Sequence, residues 1–79
     1  MPKPFTATGK KNLIGANLIA LRKNYHLSQR GLAHELQLAG YDMDKNVITR
    51  IETQQRYVTD IEIKALCDLF NVSFEDLIK

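Results

Sequence analysis

Apolar positions along this chain recur at helical spacing in five places. Ile14, Leu18, Leu21 and Tyr25 follow one another at intervals of four, three and four residues, which marks one face of a helix. Asn12 stands where a cap is needed, so the spacing predicts a first helix from about Leu13 to Tyr25. Gly15 inside that run costs roughly 1 kcal/mol against alanine and points to a neighbour packed closely there. Ser28 caps a second helix with Leu32, Ala33 and Leu36 inward, although Gly31 leaves out the reciprocal half of a capping box. Asp44 caps a third helix carrying Val47, Ile48 and Ile51.

After a TQQRYV loop, Thr59-Asp60-Ile61-Glu62 supplies a complete capping box for a fourth helix. Its inward positions are Ile63, Leu66, Cys67 and Phe70. Asn71 follows, a residue that tolerates the left-handed conformation. Ser73 caps a short fifth helix with Phe74, Leu77 and Ile78 on its apolar side. No stretch alternates cleanly with β-branched content, so the expected class is all-α. The stretch QLAGYDMDKN between the second and third helices is the anomaly. Its first residues can extend the second helix and its last three start the third, leaving AGYDM as an enlarged turn. Gly40 provides the reversal, and Tyr41 and Met43 are apolar enough to pack down.

Composition narrows the class. Seventy-nine residues with 44% apolar content support one small core. A single cysteine forms no internal disulfide, and no apolar run approaches membrane-spanning length, so a cytoplasmic location is expected. The net charge of +2 hides an asymmetry. Residues 1–56 hold nine Lys/Arg against four Asp/Glu, whereas residues 57–79 hold two against five. That distribution suits an anionic partner on one face, or is ordinary surface scatter. Residues 1–12, MPKPFTATGKKN, form a flexible basic arm ahead of a domain at 13–79.

Catalysis finds little support. His26 and His34 lie on different elements, no cysteine or carboxylate stands beside them at ligand spacing, and no metal or cofactor is expected. Cys67 falls on an apolar helical face, where a free cysteine usually acts as a small hydrophobe.

The segments IGANLIALR, LSQRGLA, ITRIE and IKALCDLFNVSFEDLI, in this order and spacing, resemble the Cro/cI-like helix-turn-helix family, also called XRE. The likeness runs from Ile14 to Ile78. It implies a lambda-repressor-like bundle that binds double-stranded DNA as a transcriptional regulator, most simply a repressor, with a homodimer on DNA.

A helix lying in the major groove reads base edges from near its N-terminus, on the face away from the core. With Ile48 and Ile51 inward, Lys45, Asn46, Thr49 and Arg50 point outward. Arg or Lys can bond guanine O6 and N7, and Asn can bond adenine N6 and N7. The alternative is a solvated polar face. By resemblance, Gln29 contacts a backbone phosphate, with Arg30 beside it and Arg56 in the following loop; Thr53 and Gln55 are weaker candidates. The resemblance also implies a partly buried ion pair between Arg22 and Glu52.

Phe74, Leu77 and Ile78 are candidate dimer contacts, or they only close the core. Lys3, Lys10 and Lys11 follow the DNA, or belong to a solubilising tail. Two departures from the family pattern stand out: Gln54 and Val58 replace a usual glycine and proline. In addition, the sixteen residues from Leu32 to Ile48 exceed the compact spacing by about five. For the regulator, control by another domain or a regulatory protein partner is expected; the competing expectation is a protein-interaction module, an antitoxin or adaptor on the same fold.

Overall fold

The structure, a computed structural model, describes residues 9–79. Five helices follow in order: α1 (Gly15–Asn24), α2 (Gln29–Leu38), α3 (Lys45–Glu52), α4 (Asp60–Phe70) and α5 (Phe74–Ile78). No strand occurs among the described residues. One core joins them. Leu18, Leu32, Leu36, Ile48, Ile51, Leu66 and Leu77 lose all solvent contact, and Phe70 nearly so.

The caps set the boundaries of α2 to α5. Ser28 Oγ accepts from the Gly31 amide at 2.9 Å, and Asp44 Oδ1 accepts from the Val47 amide at 2.9 Å. Thr59 and Glu62 form a reciprocal box at the start of α4. A second box, unanticipated, pairs Ser73 with Asp76 at the start of α5. There the Ser73 amide is the first cause holding the Asp76 carboxyl below its ordinary value, followed by Lys79.

The first helix begins later than its periodicity suggests. Leu13 lies outside α1 and is exposed. Asn12 still serves the helix start, because its Oδ1 accepts from the Ile14 and Gly15 amides at 3.2 and 3.0 Å. Its Nδ2 donates the other way, to the carbonyls of Ile51 and Arg56. Asn12 is therefore buried and belongs to the folded body, as does Lys11, whose amide donates to the Gln54 carbonyl. Lys3 lies outside the described residues. Gly15 faces α3 so closely that an added Cβ would stand 2.7 Å from the Ile51 carbonyl oxygen.

Tyr25 is half exposed, at the rim rather than in the core. Its ring meets Phe70 edge-on at 5.1 Å and its hydroxyl donates to the Phe70 carbonyl. On α4 the fully buried residues are Ala65 and Leu66, with Phe70 almost so; Ile63 and Cys67 pack only partly.

The enlarged turn has a defined stop. The Gly40 amide donates to the Gln37 carbonyl and the Tyr41 amide to that of Leu36. With Gly40 at φ 95°, this is a Schellman closure of α2. Met43 then enters the core at 2% exposure and Tyr41 packs against it. The turn is thus anchored by burial. The loop after α3 closes in the same way, with Gln54 at φ 59° taking the left-handed position usual for glycine.

Candidate nucleic-acid interface

Four side chains tie the helix-turn-helix pair to α1. Arg22 grips Glu52 with two bonds, Nε to Oε2 at 2.7 Å and Nη2 to Oε1 at 3.1 Å. Its Nη1 donates to the Leu27 carbonyl. Gln29, first residue of α2, donates through Nε2 to Glu52 Oε1 at 2.9 Å, and its Oε1 accepts from the Thr49 hydroxyl at 3.0 Å. The Glu52 side chain is only 4% exposed. Buried carboxylates need such saturation, because an unpaired one is strongly destabilising. The network fixes the angle between α2 and α3 with polar contacts, on top of the shared core.

Lys45, Asn46 and Arg50 are exposed on α3, with Thr49 half-buried beside them. Lys45 and Thr49 are one turn apart, as are Asn46 and Arg50, so the four share a continuous stripe. Val47 packs partly against the core. The Gln29–Thr49 bond brings the first turn of α2 against the edge of this stripe, with Arg30 exposed next to it. An amide nitrogen carries two hydrogens, and the bond to Glu52 uses one.

Arg56 has a different environment from its expected phosphate role. Its Nη2 donates to Glu62 Oε2 at 2.7 Å, and its Nε to the Tyr57 carbonyl. The capping-box glutamate of α4 thus doubles as its counter-ion, which draws the guanidinium toward α4. Sequence reasoning missed this pairing; the only signal was that Glu62 keeps a second oxygen after capping. It also missed that Gln29 and Thr49 hold each other. The type of each residue was legible, but their contact depends on how α2 crosses α3.

Leu77 corrects one expectation. It is fully buried and unavailable as a surface contact, because α5 turns it into the core. Phe74 remains half exposed and Ile78 partly so. Together with Leu13, Tyr57, Val58 and Ile63 they line an apolar groove of about 350 Å³. Lys11 closes one side, its Nζ 5.6 Å from the Tyr57 ring centre.

Both histidines are exposed, and no metal-holding cluster of His, Cys, Asp or Glu occurs among the described residues. Burial, then the charges of Asp68 and Asp76, push the Cys67 thiol up, away from the reactive thiolate. No helix is long and apolar enough to cross a membrane among the described residues.

This arrangement of helices and stripe defines the helix-turn-helix class. A family profile described as Helix-turn-helix matches residues 18–77, and the chain belongs to that family, of the XRE type. Among solved structures, it is similar to the crystal structure of the DNA-binding domain of BldD. The TM-score is 0.74 at 26% identity, over 94% of this chain and 100% of that one. No curated protein matches the chain.

Proposed function

We propose that this protein is a transcriptional regulator that binds specific sequences in double-stranded DNA, most simply as a repressor in the cytoplasm. One observation carries the proposal: Lys45, Asn46, Thr49 and Arg50 form one outward stripe on a helix whose angle is fixed by the Arg22–Glu52–Gln29 network. The similar BldD domain, a DNA-binding domain by its description, supports the same use of the fold.

In this scheme Lys45, Asn46, Thr49 and Arg50 meet base edges in the major groove. Gln29 offers its second amide hydrogen to a phosphate, and Arg30 adds charge beside it. Arg56 contributes to the backbone contact only after exchanging Glu62 for a phosphate. The domain performs no catalysis. A single module of this size makes few base contacts, and two copies on a two-fold site multiply them. The groove at Phe74 and Ile78 is the surface for that second copy.

The test is selection from random duplex DNA by the purified chain, with binding followed against salt. An enriched two-fold motif and affinity falling steeply with salt are expected. Arg50→Ala should relax discrimination at one or two base pairs by roughly 1–3 kcal/mol. Absence of any salt-dependent binding at low ionic strength would leave the alternative, an antitoxin or adaptor that uses the apolar groove to hold another polypeptide.

A further inference from the structure

Thr49 is the one member of the outward stripe whose hydrogen-bonding sense is set from inside the protein. The chain of constraint starts at Glu52, whose two oxygens accept from Arg22. A carboxylate in that grip offers only acceptors, so Gln29 must turn its NH2 toward Oε1 of Glu52. The carbonyl end of the same amide then faces Thr49 at 3.0 Å. The other neighbour of the hydroxyl is the Lys45 carbonyl, also at 3.0 Å. Both neighbours are acceptors, and a hydroxyl has one proton. Whichever neighbour takes it, that proton is spent within the protein, and Oγ1 shows the outside only lone pairs.

Resting on the DNA-binding function proposed above, we infer that Thr49 is a one-way specificity determinant: it accepts a hydrogen bond from an exocyclic amino group, adenine N6 or cytosine N4, in the major groove. Those amino groups are the only donors that base pairs present there. Threonine ordinarily pairs with donor or acceptor alike, and the Glu52–Gln29 relay removes that freedom. Guanine O6 and N7, thymine O4 and phosphate oxygens are all acceptors and find no proton at this hydroxyl. With the proton on Gln29, turning it outward strands the amide's carbonyl oxygen, and the amide cannot flip to compensate without opposing its own carbonyl to Glu52. The same logic reaches Thr53, whose hydroxyl donates to the carbonyls of Thr49 and Arg50. Thr53 therefore has no proton for a phosphate.

The experiment compares wild type, Thr49→Val and Thr49→Ser by selection from random duplexes, with thermal melts as the folding control. The base pair at which the valine profile departs from wild type marks the contact. At that pair, duplexes are made with purine in place of adenine, or 2-pyrimidinone in place of cytosine, each lacking only the amino group. Wild type and the serine variant should lose roughly 5- to 10-fold in affinity on the analogue, the effect of one hydrogen bond, while the valine variant should lose none beyond the cost of the altered base pair. A valine profile identical to wild type overturns the inference. So does coupling of Thr49 to deletion of a keto oxygen instead of the amino group. In both cases specific binding by wild type persists, which separates this failure from failure of the DNA-binding function itself. A wild-type chain that enriches no sequence overturns both.

Discussion

The two ends of α3 are held by different physics. Its start is fixed by burial: Met43 sits in the core just ahead of Asp44, and Tyr41 packs against that core. Its end adds polar contacts to the buried Ile51, with Glu52 gripped by Arg22 and Gln29, and the Ile51 carbonyl taken by Asn12. A helix closure with a left-handed residue flanks each end, Gly40 before the start and Gln54 after the end. Apolar anchoring tolerates an enlarged turn, because it asks only for volume and position. Polar anchoring demands angles and leaves little room for insertion. The enlarged turn accordingly lies ahead of α3, where Met43 and Tyr41 pack on the apolar side.

The comparison breaks most sharply at Glu52. Glu52→Ala strands Arg22 and the Gln29 amide together, and should lower stability by about 3–5 kcal/mol in denaturant unfolding. At the other end, Met43→Ala should cost about 2–3 kcal/mol, the loss of a buried side chain flanked by the exposed Asp42 and Asp44. Equal losses at the two positions would remove the distinction between the ends. A smaller pair of changes sharpens it. Gly40→Ala meets no atom within 4 Å and costs only its backbone conformation, about 1–2 kcal/mol. Gln54→Gly should have the opposite sign, gaining about 0.5 kcal/mol. It relieves a left-handed residue and gives up the 3.3 Å bond from Nε2 to the Asn12 carbonyl. Thermal melts of the two variants, moving in opposite directions, check this pair.

Much of the helical layout was written in local chemistry. Ser28, Asp44, Thr59, Asn71 and Ser73 each stand where the backbone needs a cap or a left-handed stop, and each does that work in the structure. The side-chain caps among them bond across three residues and need no knowledge of the fold. Leu13 and Tyr25 misled, because periodicity identifies a face and not its ends: one lies beyond the helix, and the other sits at the rim. Asn12 was legible at the helix start, although Ile14 takes the cap position itself, whereas its bonds to Ile51 and Arg56 cross about forty residues of chain and carry no local signal.

The candidate interface divides the same way. The sequence alone determined that a short helix would bear Lys45, Asn46, Thr49 and Arg50 outward, since Ile48 and Ile51 dictate the opposite face. It also determined which residue types were available for contacts with bases and phosphates. Only the tertiary structure decided what those groups were already bonded to. It set Arg56 against Glu62, turned Leu77 into the core, and locked the Thr49 hydroxyl onto Gln29. The physical reason is range. Helix faces and caps follow from neighbours in sequence, but the hydrogens and lone pairs a side chain has left for a partner depend on the helices that cross it.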